Sequence, residues 1–531
     1  MMLRIFFLLL GAYARICTGQ SPNVIFILSD DLGWGDLQCY GNPYVETPAL
    51  NRLAAEGIRF THYYSPSPLC APARAAILTG RYNHRTGAID VSSNRGIDRI
   101  ALSERTMGDY FRHAGYATAL IGKWHNGLYN EAYLPYHRGF DMFFGFPNGG
   151  QDYYRYNLMR NGKYEKSEGM YMTDVFNQEA IRFVEQHRHK PFFLFLSHHA
   201  PHAPFQAPDS LVEKYVRRIG NRLPRQDAAL YAMIEVMDHG IGKLMDKLEE
   251  LGLRENTVIV FTSDNGAQYA SRELRRFQGP LSGEKGNVME QGIRVPAILS
   301  WKGKVEPGRV IGTPVHGCDW LPTLYGLTGK EPPESSKPLD GMDLGRLLEG
   351  EEIPALAERP LFFQKNRYTP VGYSDGSIRT GPWKLYWPMV DETMKKDLAR
   401  DNPSYEKGLT DSHWEMPLDA ELPSFKGIKT ALPQLFHLDQ DPSERYDLAA
   451  LHPQIVARMT ENYRLWFEDI EKEWKESWAE IRRQDHEYWK TRQAPDPEKL
   501  FEKFWRWDTI KSGAGSNPLK VFKGYWPQEE K

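Results

Sequence analysis

Short, almost unbroken apolar runs alternate along the chain with longer stretches in which apolar residues recur every three or four positions. Val24 to Leu28, Ala117 to Ile121, Phe192 to Leu196 and Val258 to Phe261 are of the first kind. A strand with one wet face alternates apolar and polar residues, so these runs predict strands covered on both faces. Pro48 to Glu56, Thr106 to Ala114 and Ala228 to Leu251 carry the helical period instead. Strand and helix in alternation predict an α/β fold, with a large mixed, mostly parallel sheet sandwiched by helices. Sheets of this kind hold ligands beyond the carboxyl ends of their strands.

Polar residues follow each run. Ser29-Asp30-Asp31 follows the first and Gly122-Lys123-Trp124-His125 the second. Ser197-His198-His199-Ala200-Pro201-His202 follows the third, and Ser263-Asp264-Asn265-Gly266 the fourth. Parallel strands would bring all four clusters to one edge of one sheet. The pattern changes after Leu339-Asp340-Gly341, where Trp, Tyr and Pro become frequent. Ile378 to Tyr386, with Gly381-Pro382 inside it, predicts a hairpin. Ile455, Met459, Tyr463, Trp466, Ile470, Trp474, Trp478 and Ile481 recur at helical spacing, a stripe that predicts a packing face. The expected division is a main domain at 21–365, a smaller C-terminal α+β domain with a short antiparallel sheet at 366–492, and an extension at 493–531. Ser512 to Asn517 reads as a flexible connector within that extension.

Residues 1–20 read as an export signal. Arg4 precedes the apolar run Ile5 to Ala12, and the small residues Thr18 and Gly19 follow. The run is too short to span a bilayer, so a secreted or periplasmic protein with no membrane span is expected. Asn402-Pro403-Ser404 is the one Asn-x-Ser/Thr triplet, and its Pro blocks glycosylation, which favours a bacterial source. The net charge of −3 gives no broad basic field for nucleic acid or anionic lipid. An anionic substrate must then be met by a local cluster. Cys17 leaves with the signal, and the odd set Cys39, Cys70 and Cys318 makes no disulfide framework. Cys39 and Cys318 read as small buried apolar residues, a pairing between them being the lesser alternative.

Cys70-Ala71-Pro72-Ala73-Arg74 carries more chemistry. Pro72 suits the first turn of a helix running through Leu78. That puts Cys70 at the helix N-terminus, where free N–H groups and the dipole favour anions. Arg74, one turn on, can return its guanidinium to the same oxygens. Asp30, Asp31, Asp264 and Asn265 are oxygen donors at matching strand ends, a set that suits Ca²⁺ or Mg²⁺ better than zinc.

Cys70-x-Pro72-x-Arg74, continued by Ala75 to Arg81, resembles the motif of the type I formylglycine-dependent sulfatases of the alkaline phosphatase superfamily. Gly122-Lys123-Trp124-His125, Arg138 to Asp141, Ala200 to Pro204, Asp264-Asn265-Gly266 and Lys285-Gly286 recur in the family's order. So do Gly292 to Pro296 and Asp319 to Leu324, while Leu435 to Leu438 with Asp441-Pro442 resembles the family's C-terminal signature. The likeness runs from residue 22 to residue 450.

The resemblance implies that a maturation enzyme oxidises Cys70 to formylglycine (3-oxoalanine). It implies one Ca²⁺ per chain, held by Asp30, Asp31, residue 70, Asp264 and Asn265. Asn265 stands where the superfamily's two-zinc phosphatases typically carry an Asp-His pair. Cys70, Arg74, Lys123, His125, His202 and Lys285 become the catalytic set, whereas His198 and His199 receive no role. The implied reaction is attack on sulfur by a formylglycine gem-diol, with His202 and Lys285 on the leaving sugar oxygen. A sulfated hemiacetal results, which His125 helps to collapse. Gly122 to Tyr136 and Gly150 to Tyr154 look most like N-acetylgalactosamine-4-sulfatases, so a sulfated polysaccharide or glycosaminoglycan is the expected substrate. Asn126 replaces a frequent Leu, and Gln291 a frequent Gly. Arg155, Arg160 and the aromatic C-terminal region are candidate sugar subsites. The alternatives are a phosphodiesterase or phosphonate monoester hydrolase of the same superfamily, or an inactive sulfoglycan-binding protein. The last requires a damaged catalytic set, and no member is missing.

Overall fold

The computed structural model describes residues 21–91, 96–128, 130–166, 169–269, 275–334, 336–395, 423, 425 and 427–490. The export signal and the 493–531 extension with its connector lie outside the described residues.

The four apolar runs form the centre of a ten-stranded sheet. Across it run Arg309–Ile311, Ile58–Phe60, Ala297–Ser300, Thr257–Ser263, Asn23–Ser29, Phe192–Ser197, Ala117–Lys123, Met142–Phe146, Asn157–Arg160 and Lys163–Lys166. Thr257–Ser263 through Met142–Phe146 are mutually parallel. Ala297–Ser300 and the closing hairpin at Asn157–Lys166 pair antiparallel, which makes the sheet mixed.

The continuous runs have a direct physical reason. Alternate residues of each strand enter alternate cores. Ile25, Ile27, Leu194 and Leu196 pack with the helices Met172–His187 and Arg225–Glu250. Val24, Phe26, Phe193 and Phe195 pack on the other face with Cys70–Thr79, Met107–His113 and Trp320–Gly326. The Phe26 and Phe195 rings stack there at 5.1 Å.

A four-stranded antiparallel sheet, Leu361–Gln364, Gly376–Thr380, Trp383–Trp387 and Gln434–His437, forms the smaller unit. Its first strand lies ahead of the 365/366 division. The Ile378–Tyr386 hairpin forms its middle. The helix Pro453–Lys490 lays the aromatic stripe across this sheet: Met459, Tyr463, Trp466 and Ile470 cluster with Ile378, Leu385 and Trp387. Trp466 stacks on Phe362 with ring centroids 4.8 Å apart. Further along, Trp474 joins Ile89, Ile97 and Tyr368, so one helix straps the small sheet to the main unit.

Cys39 and Cys318 are both free, so the alternative pairing does not form, and Cys39 is only half-buried. Among the described residues no helix is long and apolar enough to cross a membrane.

Candidate active site

Parallel pairing sets Ser29 beside Ser263, so the two acidic pairs leave the sheet as neighbours. The Asp31 N–H donates to Asp264 Oδ1 at 3.2 Å, and Asn265 Nδ2 donates to Asp31 Oδ1 at 2.7 Å. Asp31 has φ of 64°, a left-handed conformation that side-chain-bearing residues seldom adopt. His125, after Ala117–Lys123, has φ of 63°. Two such residues, after strands separated only by Phe192–Ser197, fit the clustering of strained backbone at functional sites.

The helix Cys70–Thr79 begins at Cys70 itself, with Pro72 in its first turn. Cys70 is buried, and its Sγ, with carboxylate oxygens of Asp30 and Asp264, forms a set within 4.8 Å of one another. Arg74 knits three strand ends together. Its Nε and Nη2 reach Asp264 Oδ2 at 2.9 and 2.8 Å. Its Nη1 donates to Ser197 Oγ at 2.6 Å and to the Lys123 carbonyl at 3.2 Å. Lys123 Nζ donates to Asp30 Oδ2 at 2.7 Å.

Lys285 arrives from a loop. Its N–H donates to the Ala267 carbonyl at 2.8 Å, and the Gly286 N–H to the Pro68 carbonyl at 3.0 Å. Its Nζ lies 2.7 and 2.9 Å from the two oxygens of Asp31. His202 Nδ1 meets the Ala203 carbonyl at 2.6 Å, which assigns the ring hydrogen to Nδ1. Nε2 then faces Asp31 Oδ2 at 3.6 Å. His125 is buried beside Gly149, where a Cβ would lie 2.8 Å from the imidazole Cε1, so only glycine leaves room for that ring.

Burial opposes charge throughout this site, and the partners decide each outcome. Burial alone would raise the Asp30 carboxyl, but Lys123, His202, the hydrogen bond from His199 and Arg74 hold it well below the usual range. Burial and the neighbouring Asp30 charge push Asp264 up to about 7. Burial raises the Cys70 thiol, and Lys123 and Lys285 only partly oppose it. Burial takes His202 down to about 3 and His125 well below the ordinary imidazole value.

The crowding of three carboxylates invites a cation. Asp30 Oδ1 and Asn265 Oδ1 are buried and accept no hydrogen bond among the described residues. Buried oxygens without partners are costly. Hard divalent cations take such oxygens as ligands, so Asp30, Asp31, Asp264 and Asn265 fit one.

A family model described as Sulfatase matches residues 22–330. The chain belongs to the sulfatase family. Human N-acetylgalactosamine-6-sulfatase is 33% identical over 473 residues, covering 83% of this chain and 84% of the relative. Human arylsulfatase A is 33% identical over 475 residues, covering 83% and 86%. The crystal structure of Ps i-CgsB in complex with a k-i-k-neocarrahexaose superposes with a TM-score of 0.70 at 29% identity, covering 84% of this chain and 93% of that one.

The structure of this sulfatase gathers Asp30, Asp31, Cys70, Arg74, Lys123, His125, His202, Asp264, Asn265 and Lys285 about the carboxyl ends of the central strands, with further residues beside them. His199, left without a role above, places Nδ1 3.0 Å from Asp30 Oδ2 and stacks on His202 at 4.8 Å. Ser197 accepts from Arg74 and donates to the Lys123 carbonyl at 2.7 Å. Asn126, one of the two departures from the family pattern, donates to the carbonyls of Ala71 and Asp98 at 2.8 and 3.1 Å and so braces the turn next to Cys70. The other, Gln291, is buried with its amide unpartnered among the described residues. Arg160 is not a free subsite residue. It pairs with Glu165 and Glu179 at 2.8 and 2.6 Å and covers the Phe144 ring.

Proposed function

We propose that this sulfatase hydrolyses sulfate esters of a sulfated carbohydrate outside the cytoplasm, through a formylglycine made from Cys70 by a maturation enzyme and with one Ca²⁺ per chain. The observation that carries the reading is the meeting of residue 70 with Asp30 and Asp264 at a helix N-terminus, with Arg74 between them. Further support comes from the likeness to a relative named N-acetylgalactosamine-6-sulfatase and to a structure in complex with a neocarrahexaose. The raised thiol of Cys70 also supports it, because a protonated thiol is a weak nucleophile.

Charge balance points the same way. Asp30, Asp31 and Asp264 offset Arg74, Lys123 and Lys285, so a divalent cation would leave the site net positive and ready for an anion. Bound by Asp30, Asp31, residue 70, Asp264 and Asn265, Ca²⁺ would supply Lewis acidity beside the sulfo oxygens. Formylglycine would supply a hydrated aldehyde oxygen to attack sulfur. Arg74 then keeps residue 70 and Asp264 in register. Lys123 and Lys285, no longer needed by Asp30 and Asp31, direct their ammonium groups to the charge that builds on the sulfo oxygens. His202 moves a proton at Nε2 to the departing sugar oxygen, the bound anion offsetting the burial that lowers its pKa. Lys285 assists on that side. His125, unprotonated under burial, takes the proton that residue 70 gives up as sulfate leaves.

Matured protein given defined sulfated saccharides, and aryl sulfate beside aryl phosphate, is expected to release sulfate and to prefer the sulfate ester. Turnover of the phosphate alone would favour a phosphodiesterase or phosphonate hydrolase. Saccharide binding with no sulfate released would favour a binding protein.

A further inference from the structure

We infer that Glu444, on the small-sheet side of the molecule, is the positioning residue for Lys285. The inference rests on the reading of Lys285 as a group that supports the departing oxygen. Lys285 lies on a stretch with no strand, running from Ser282 to the short helix Glu290–Ile293. Both ends of that stretch meet one carboxylate oxygen. The Glu290 N–H donates to Glu444 Oε2 at 2.7 Å, and Ser282 Oγ donates to the same atom at 3.4 Å. The Gln291 N–H closes the stretch on the Ser282 carbonyl at 2.8 Å. Its middle is gripped from the small sheet too, where the Val288 N–H donates to Asp375 Oδ1 at 3.3 Å.

Glu444 is itself fixed. It is buried, holds φ of 52° after Asp441-Pro442-Ser443, and donates its N–H to the Asp441 carbonyl at 3.1 Å. Lys384 Nζ is fully buried between Glu444 Oε1 at 2.8 Å and Glu290 Oε1 at 3.1 Å. Tyr64 OH donates to the other Glu290 oxygen at 2.7 Å. One ammonium thus holds two buried carboxylates together, and the carboxylate at 444 clasps the loop. Lys285 is tied to the site at its own backbone, so the clasp sets how far its Nζ reaches over Asp31. An ångström of misplacement at a reacting group is enough to cost rate.

A group that supports a departing oxygen matters most when that oxygen leaves poorly. A sugar hydroxyl leaves worse than a nitrophenol. The test compares kcat on a sulfated monosaccharide and on nitrophenyl sulfate for matured wild type, Glu444→Ala, Glu444→Gln, Lys285→Ala and the Glu444→Ala/Lys285→Ala pair, each first checked for native thermal unfolding. Lys285→Ala is expected to lose about 10²–10³-fold on the saccharide. Glu444→Ala is expected to lose roughly tenfold or more there and much less on nitrophenyl sulfate. Glu444→Gln keeps an acceptor oxygen but weakens the pairing with Lys384, so it is expected to show a smaller loss with the same bias toward the saccharide, and that bias carries the test if the Ala variant does not fold. The double variant is expected to match Lys285→Ala alone, because the two act as a unit. Equal losses on both substrates, or losses that multiply in the double variant, would overturn the positioning role. Wild-type turnover in Lys285→Ala would instead overturn the assignment of Lys285 itself.

Discussion

Cys70→Ala is expected to lower sulfate release by roughly 10⁴-fold or more, the scale seen when a catalytic nucleophile is removed. Loss of the fold would not account for it. Cys70 is a small residue at the first position of a fully buried helix, and exchanging it for Ala leaves the Arg74 contacts in place. The structural cost should stay near 1 kcal/mol, a modest shift in unfolding temperature. Cys70→Ser should fare no better over many turnovers, since a serine sulfate ester has no internal route by which the sulfate can leave. Released sulfate, followed beside far-UV circular dichroism and thermal unfolding, checks this directly. Turnover close to wild type in Cys70→Ala would remove residue 70 from the reaction.

Chelation is expected to have an effect of similar scale, about 10³-fold or more, with activity returning on addition of Ca²⁺. Without a cation, Asp30, Asp31 and Asp264 depend on Lys123, Lys285 and Arg74 for their balance, and the two lysines are drawn away from the substrate. The proton on Asp264 gives the pH dependence its sign. Its carboxyl is pushed up to about 7, so below that value a cation must displace a proton, and apparent Ca²⁺ affinity should weaken as pH falls. Saturating Ca²⁺ should also raise the unfolding temperature, by about 2.7 kcal/mol of stability at a hundredfold excess over Kd. Titration calorimetry and a thermal scan read both effects. Rescue by zinc alone would contradict the oxygen-ligand assignment.

How far the sequence carries depends on what kind of feature is asked for. The central strands are legible because each is buried on both faces and therefore carries a nearly continuous apolar run. Ile58–Phe60 and Arg309–Ile311 are three residues long and present no such run. Asp30, Asp31, Asp264 and Asn265 are legible for a related reason, since parallel strands deliver their carboxyl ends to one edge. Lys285 follows no strand, and only likeness to the family placed it. His198 and His199 are the same residue type side by side, yet His199 meets Asp30 whereas both ring nitrogens of His198 have no partner among the described residues. Which of the two reaches the site depends on the turn after Ser197, and that turn is fixed by tertiary packing. Arg160 reads as a free cation in sequence, but the hairpin that brings Lys163–Lys166 alongside also brings Glu165 to it. Glu444 follows a recognisable signature, but its chemistry appears only when a loop more than a hundred residues earlier folds against it.

The chemical form of residue 70 in the working enzyme decides the reaction. Mass analysis of the peptide that carries it, taken from a preparation whose sulfate release has just been measured, is the most direct test. The peptide is expected to hold an aldehyde in place of the thiol and to be captured by a hydrazide reagent, in proportion to activity. A fully active preparation in which that peptide carries an unmodified cysteine would contradict it.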